Sequence, residues 1–426
     1  MVRISGLPDE VLVKILSFAP TNIAVSTSIL SKRWEFLWMW LTKLDYGDIC
    51  YSEPEFKSLQ CFLNRNLPLH RAPVIERFRL LFMDKHLKPE DIRMWVVIAV
   101  SRYVRKLEIY ISHHREKQNI LPSSLYTCNS LVVLKLSGGI LLDVPRMVCL
   151  PSLKTLELTD VIFFNDASLQ RLLSNCPVLE DLVVNFFRRH DDMVKFTVIV
   201  PSLRRLSLYI GCNCEFVIDT PSLEYFKLVD RSNSHSYLIE NMPKLMEADI
   251  DVTFTDIKSL IGSITSVKQL TISSQVGNGD GFIFNHLEHL TIYVWKEYSS
   301  HLLVQFLRDT PNLRELILIS SLTDNYENND MFFWHQPSTV PECMLSSLQN
   351  FTWSQYLGRP QDRDMAVYIL KNACRLRTAT ILANTRLVPK FKMIKELARS
   401  SRASSTCELD FEDGSSEDVF NYIIGF

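Results

Sequence analysis

The chain has 426 residues, 47% hydrophobic and 22% charged, with a formal charge of -2, the balance of a globular protein with a sizeable core. Lys and Arg are scattered singly with no aromatic-interleaved basic stripe, so the electrostatic footprint of a nucleic-acid binder is missing. The apolar run Met94 to Val100, bounded by Arg93 and Arg102, is far shorter than the ~20 residues of a membrane span, and Asp9, Glu10 and Lys14 interrupt the N-terminal stretch where a signal peptide would lie.

The first element is a helix opened by Leu7-Pro8-Asp9-Glu10. Pro8 suits a first helical turn, where its missing N–H costs nothing, and the two acids favour the positive end of the helix dipole. Leu12, Ile15 and Leu16 recur at helical spacing, with Val11 and Phe18 widening the stripe, and Pro20 breaks the helix. Asn22 is expected to cap a second helix in which Leu30, Trp34, Leu37 and Trp38 share one face. A segment below about 40 residues rarely buries enough surface to stand alone, so the rest of the chain or another protein must cover these faces.

These residues carry a resemblance. Leu7-Pro8-Asp9-Glu10, Ile15-Leu16-Ser17-Phe18, Val25-Ser26-Thr27-Ser28 and Leu30-Ser31-Lys32-Arg33-Trp34 with Leu37-Trp38 resemble the F-box motif in its plant form, over roughly residues 3 to 45. Ala19 departs from the Leu usual there. The resemblance implies docking on the Skp-type linker protein of cullin-based ubiquitin ligases. Position by position it assigns Leu7, Pro8, Leu12, Ile15, Leu16, Leu30 and Trp34 to the linker-binding surface or its support.

A repeat of the form apolar-x-x-apolar-x-apolar follows. It begins at Ile75/Phe78/Leu80 and Val104/Leu107/Ile109 and runs through Leu131/Leu134/Leu136, Leu153/Leu156/Leu158, Leu179/Leu182/Val184 and Leu203/Leu206/Leu208. Leu223/Phe226/Leu228, Leu245/Ala248/Ile250, Val267/Leu270/Ile272, Leu287/Leu290/Ile292 and Leu313/Leu316/Leu318 continue it, and Leu348/Phe351/Trp353 and Leu376/Ala379/Ile381 end it. The spacing is close to the leucine-rich-repeat period. Pro151, Pro177, Pro201, Pro221, Pro243 and Pro311 each stand two residues before the first apolar position, where the chain turns into its strand. The pattern resembles the irregular repeats that follow plant F-boxes.

Each repeat is expected to give one strand of a parallel sheet, with the Leu positions inward and the residues between them on a concave face. Helices are expected on the convex side over Asp166 to Cys176 and Ser299 to Arg308, with loops replacing them between Leu206 and Leu290. About a dozen strands spaced ~4.8 Å apart make an arc on the order of 60 Å long, a surface for another macromolecule. Outward positions Tyr209, Tyr225, Lys227, Glu247, Asp249, Asp251, Tyr293 and Trp295 mix aromatic anchors with charges and are the candidate target-binding residues.

Pro341-Glu342-Cys343, Leu345-Ser346-Ser347-Leu348, Phe351, Trp353, Tyr368 to Ala373, Ala379-Thr380-Ile381, Lys395 to Ala398 and Ser404 to Cys407 resemble the FBD domain of plant F-box proteins. Two strands around helices Arg363 to Ala373 and Phe391 to Ser400 would close the solenoid, and an acidic tail would follow Phe411. The fold expected is therefore α/β: an F-box over residues 1–48, repeats over 49–325, a linker over 326–340, the FBD over 341–411 and the tail over 412–426.

Chemistry-bearing motifs are poor. His286-x-x-His289 lies in a strand pattern that points the two rings opposite ways, and Cys212-x-Cys214 lacks a second ligand pair. His113-His114 lies in a charged loop, and Gly277 to Gly281 has neither the Lys-Ser/Thr nor the helix of a phosphate loop. The acidic triplet Glu247, Asp249 and Asp251 reads as a solvated face, and ten irregularly spaced cysteines suit a reducing compartment, the cytoplasm or nucleus. The expected function is that of a non-catalytic substrate-recognition adaptor needing no cofactor or metal, partnered by a Skp-type linker, through it a cullin, and an unknown target protein. The alternative is an F-box scaffold or ligand-binding repeat protein that does not direct ubiquitination.

Overall fold

A computed structural model describes residues 4–48, 53–82, 87–112, 119–186, 195–211, 215–230, 237–240, 242–253, 258–274, 282–294, 298–320, 334, 336–383 and 390–413. The chain divides into two compact units, residues 1–220 and 221–426.

The first unit opens with helices α1 (Asp9–Leu16) and α2 (Thr21–Ser26), each entered through a proline, Pro8 or Pro20, in extended conformation. The long second helix does not form: α2 stops at Ser26 and gives way to short 3-10 turns at Thr27–Ile29 and Leu37–Trp40. Ser26 Oγ donates to the Ile23 carbonyl and Thr27 Oγ1 to the Ala24 carbonyl, both at 2.7 Å. Such bonds compete with a continuing helix. Asn22 does not cap; its Oδ1 accepts from the next amide, Ile23 N–H, at 2.9 Å, and Pro20 stands at the cap position.

Seven strands follow, β1 (Lys43–Asp48), β2 (Arg77–Phe82), β3 (Lys106–Ile111), β4 (Val133–Gly138), β5 (Thr155–Thr159), β6 (Asp181–Phe186) and β7 (Arg205–Ile210), paired in that order and all parallel. Leu44, Phe78, Leu107, Leu134, Leu156, Leu182 and Leu206 stand opposite one another on successive strands, each buried. Each such side chain contributes about 1.5–3 kcal/mol by leaving water. Leu41, Leu44 and Tyr46 fit the repeat template too, so the segment read as the end of the F-box also supplies the first strand of the sheet. The other side is layered by α3 (Glu53–Asn66), α4 (Pro89–Ser101), α5 (Ala167–Leu173) and short parallel strands. The run Met94 to Val100 lies in α4, where Trp95 and Val96 are core residues and Trp95 Nε1 donates to Asn64 Oδ1 at 2.8 Å. Among the described residues no helix is long and apolar enough to cross a membrane.

The phased prolines have a defined geometry. Leu153 N–H donates to the Leu150 carbonyl, Leu179 to Cys176, Leu203 to Val200, Leu245 to Met242 and Leu313 to Thr310, at 3.1–3.3 Å. Each of Pro151, Pro177, Pro201, Pro243 and Pro311 thus occupies the second position of a four-residue turn, where a fixed φ near -65° favours the turn.

The second unit holds eight parallel strands, β8 (Tyr225–Asp230), β9 (Glu247–Val252), β10 (Gln269–Ser274), β11 (His289–Val294), β12 (Glu315–Ser320), β13 (Asn350–Tyr356), β14 (Thr378–Ala383) and β15 (Glu408–Asp413). The inward row reads Phe226, Ala248, Leu270, Leu290, Leu316, Phe351, Ala379 and Leu409. The two alanines that break the Leu pattern lie beside phenylalanines, so large and small side chains alternate and fill the layer. A helix α6 (Lys258–Ser263) forms in the stretch expected to carry loops only, seating Leu260 and Ile261 in the core. Helices α7 (Tyr298–Asp309), α8 (Glu342–Ser346), α9 (Pro360–Asn372) and α10 (Lys390–Leu397) complete it.

The FBD region contributes three strands, β13 to β15, rather than two, and they extend the same parallel ladder, with one register shift between Trp353 and Tyr356 where β13 meets β14. Glu412 and Asp413, expected in a solvated tail, end β15 opposite Leu382 and Ala383. Residues 414–426, and all of the expected linker except residues 334 and 336–340, lie outside the described residues.

One buried group gives the first unit a dependence on pH. His70, 1% exposed, shares a hydrogen bond of 2.9 Å between Nε2 and the Leu41 carbonyl, while Arg71 and Ala72 N–H donate to the Met39 carbonyl. Burial pushes the imidazole down to about 4; the Leu41 carbonyl raises it and the Arg102 charge lowers it. The folded chain therefore keeps His70 neutral while the unfolded chain protonates it below about 6.5, so stability is lost as pH falls from about 6.5 towards 4. Between pH 7.5 and 5 the loss from this group is about 2 kcal/mol. Urea unfolding of the chain and of His70→Gln at both pH values checks this: the Gln chain is expected to lose less on acidification, and equal losses would refute it.

Candidate functional site

Two surfaces present the residues singled out by the sequence. The first is formed by α1, α2 and the turns after them. Leu12 and Leu16 are buried at 0% and 4% exposure, so they hold the module together instead of facing outward. Pro8, Ile15 and Leu30 are exposed, and Leu7 and Trp34 are half-buried. Phe18, which widened the stripe, is 82% exposed, and two apolar side chains that the stripe did not include, Ile29 and Ile23, are 87% and 51% exposed, beside Leu30 at 65% and Ile15 at 44%. So many large apolar groups open to water in one short module mark an unpartnered contact surface. Arg33 braces the module: its Nε donates to Asp9 Oδ1 at 2.8 Å and its Nη2 donates to the Leu7 carbonyl.

The second surface is the outward face of the strands. Alternate residues of β8, β9 and β11 are half-buried there, placing Tyr225, Lys227, Glu247, Asp249, Asp251 and Tyr293 on the face of the second unit opposite its Leu row. Tyr225 stands opposite Glu247 and Lys227 opposite Asp249, with Lys227 Nζ 2.8 Å from Asp249 Oδ2. The Tyr293 phenol is held above its ordinary range by burial first, then by the negative charges of Asp249 and Asp251. These side chains therefore share one electrostatic neighbourhood. Tyr209 lies in β7 of the first unit, opposite Asn185. Trp295 lies outside the described residues, as do Cys212-x-Cys214, His113-His114 and Gly277 to Gly281.

The outward face of the first unit is more charged than its candidate list implied. Asp45, Arg79, Glu108, Lys135 and Glu157 stand opposite one another on β1 to β5 with alternating sign. Arg77 Nε donates to Glu108 Oε2 at 2.7 Å and Lys135 Nζ lies 2.5 Å from Glu157. Burial raises the Glu108 carboxyl, but hydrogen bonds and charge from Arg77 and Lys106 outweigh it and hold the group below the usual carboxylate range. These residues occupy x positions of the repeat template, and strand register brings them opposite one another.

Among the described residues, neither surface groups side chains into a constellation for bond-making chemistry. His289 Nδ1 lies 2.7 Å from Glu315 Oε2, an exposed cross-strand pair. Burial pushes the Cys176 and Cys343 thiols up to about 12, away from nucleophilic thiolate character. Among the described residues no group of three His, Cys, Asp or Glu side chains could hold a metal ion.

Three family models match the chain. The F-box domain matches residues 4–46, the repeats of the FBD-associated F-box protein At5g56370 match 92–316, and the FBD matches 336–381. Among curated proteins of Arabidopsis thaliana, the chain is 74% identical over 412 residues to FBD-associated F-box protein At4g10400, spanning 96% of this chain and all of that one. It is 55% identical to FBD-associated F-box protein At5g38590 over 94% of this chain and 98% of that one. It is 43% identical to putative F-box/FBD/LRR-repeat protein At5g62970 over 96% of this chain and all of that one. An F-box module, a leucine-rich-repeat sheet and an FBD continuing that sheet, matched along nearly the whole length, make the chain a member of the plant F-box/FBD/LRR-repeat family.

Proposed function

We propose that the chain is the substrate-recognition adaptor of a Skp-cullin-F-box ubiquitin ligase, acting in the cytoplasm or nucleus. In this reading the exposed apolar surface of α1, α2 and the following turns docks on the Skp-type linker, which connects to the cullin. The outward strand faces hold the target protein. The chain makes and breaks no bond; tethering raises the effective concentration of a target lysine near a ubiquitin-charged enzyme carried by its partners. The observation that carries the reading is the exposure of Ile15, Phe18, Ile29 and Leu30 on a module whose own core is already complete around Leu12, Leu16 and Trp38.

The test is co-purification. Ile15→Asp with Leu30→Asp changes only exposed positions, so the chain is expected to fold and melt as the wild type does. Its capture of a Skp-type linker is expected to fall by two or more decades, because a charge facing an apolar partner costs several kcal/mol. Linker binding at wild-type affinity by the folded double variant would refute the adaptor assignment.

A further inference from the structure

Four cations crowd the outward face at the start of the first sheet. Lys43, Arg77 and Lys106 stand opposite one another on β1, β2 and β3, with Arg79 in the next outward row. Against them are two carboxylates, Asp45 and Glu108. Glu108 is 4% exposed, and both its oxygens are engaged, Oε2 by Arg77 at 2.7 Å and Oε1 by Lys106 at 3.2 Å. It acts as a buried brace that fixes two cations side by side rather than as a group presented to solvent. Arg79 is held from two sides, with Nη1 3.3 Å from Asp45 Oδ2 and the guanidinium 5.6 Å from the centre of the Tyr110 ring. Fixing long cationic side chains before a ligand arrives removes much of the entropy cost that makes surface ion pairs weak.

A second feature adjoins the first. Beside Arg79 and Asp45 a half-open cleft of about 630 Å³ runs along the outer edge of β1, walled by Ile23 and Val25 of α2 and by Leu59 and Phe62 of α3. Its volume is in the range of small-ligand sites, and Ile23, Val25, Leu59 and Phe62 give it an apolar side beside the polar Asn22, Asp45 and Arg79. Thr21 Oγ1 accepts the Asp45 N–H at 2.8 Å and so covers one edge amide of β1. A cationic shelf that opens onto an apolar cleft, with Arg79 belonging to both, fits a ligand with negative charge next to an apolar group.

We infer that this shelf and cleft bind an anionic peptide segment of the target protein, its acidic groups on Arg77, Arg79 and Lys106 and an apolar side chain in the cleft. The inference rests on the reading that the repeats recognise a target, and it names the chemistry of that target's recognition segment. It also places that segment beside α2, on the module that carries the docking surface. Carboxylates and phosphates share the chemistry required, and the probes separate them.

The experiment uses the full chain and fluorescent peptides read by anisotropy. One peptide is rich in Glu with a central Leu; in others Lys replaces every Glu, Ala replaces the Leu, or phosphoserine replaces two Glu. The Glu–Leu peptide is expected to bind, more weakly as salt rises, and the Lys version is not. Loss of the Leu is expected to weaken binding several-fold, and Arg79→Gln about tenfold, with Arg79→Lys recovering part of it. Tighter binding of the phosphoserine peptide would support the site and assign phosphate as its anion. Equal binding of the Glu and Lys peptides, no binding of any peptide, or indifference to Arg79→Gln in a chain with unchanged melting would overturn the inference. Because no linker protein is present, these failures are distinguishable from failure of the adaptor reading, which linker capture tests by itself.

Discussion

Ending the chain at Pro341 is expected to leave a second unit that aggregates or fails to fold. In the whole chain β13 lies directly on β12, with Phe351 opposite Leu316 and Trp353 opposite Leu318. Trp353 is fully buried, and its Nε1 donates to Ser320 Oγ at 2.9 Å. Gln349 and Asn350 N–H both donate to the Arg314 carbonyl, and Cys343 Sγ donates to the Leu307 carbonyl at 3.1 Å. Truncation removes all of these at once. It bares the flank of Leu313, Leu316 and Leu318 and leaves the backbone groups of β12 that β13 satisfied as an open, apolar edge, which invites pairing with other chains. Each uncovered Leu forfeits up to about 1.5–3 kcal/mol, so the sum is comparable with the whole stability of a domain. Size-exclusion chromatography, binding of a dye to apolar surface and thermal melting report the outcome. A monodisperse truncated chain with an unchanged melt would show that the FBD region folds separately and caps nothing.

That expectation was legible in the sequence because the apolar period does not stop at the FBD. Leu348/Phe351/Trp353 and Leu376/Ala379/Ile381 carry the same inward beat as the repeats before them, and all six are buried. Period and burial are linked through strand geometry: side chains alternate, so a residue two positions away shares the face and one position away does not. The same rule placed Tyr225, Lys227, Glu247, Asp249, Asp251 and Tyr293 outward without reference to any partner. Where local chemistry competed with the pattern, the pattern misled. The apolar spacing of Leu30, Trp34, Leu37 and Trp38 predicted one helix, but hydroxyl-to-carbonyl bonds at Ser26 and Thr27 and short turns broke it. Leu41, Leu44 and Tyr46 were assigned to the end of the F-box although they open the sheet, because a motif boundary and a packing boundary need not coincide.

The charged shelf was not legible as a site. The sequence shows Arg77, Arg79 and Lys106 scattered among apolar residues, and only strand register brings them to adjacent strands with Glu108 between them. The cleft beside them is built from residues near positions 23, 46, 60 and 79, which no linear motif joins. Repetition is visible in one dimension, whereas the composition of a face depends on which x positions come into register.

The second large effect separates a core residue from a surface residue within one helix. Leu12 and Ile15 both belong to the apolar stripe of α1, and the stripe alone makes them equal candidates for docking. They are not equal in the fold: Leu12 is 0% exposed and Ile15 is 44% exposed. Leu12→Asp is therefore expected to put a carboxylate into a site with no partner for it, at a cost of several kcal/mol even after the acid protonates, which exceeds what a module of a few short helical segments can lose. The N-terminal module should unfold, becoming sensitive to protease at native temperature, and linker capture should vanish as a consequence. Ile15→Asp should leave protease resistance at the wild-type level and weaken linker capture alone. Limited proteolysis and linker capture measured on both variants separate the two roles. A Leu12→Asp chain that stays protease-resistant would contradict the buried placement of Leu12, because a helix cannot hide a charged side chain that its neighbours leave no room to redirect.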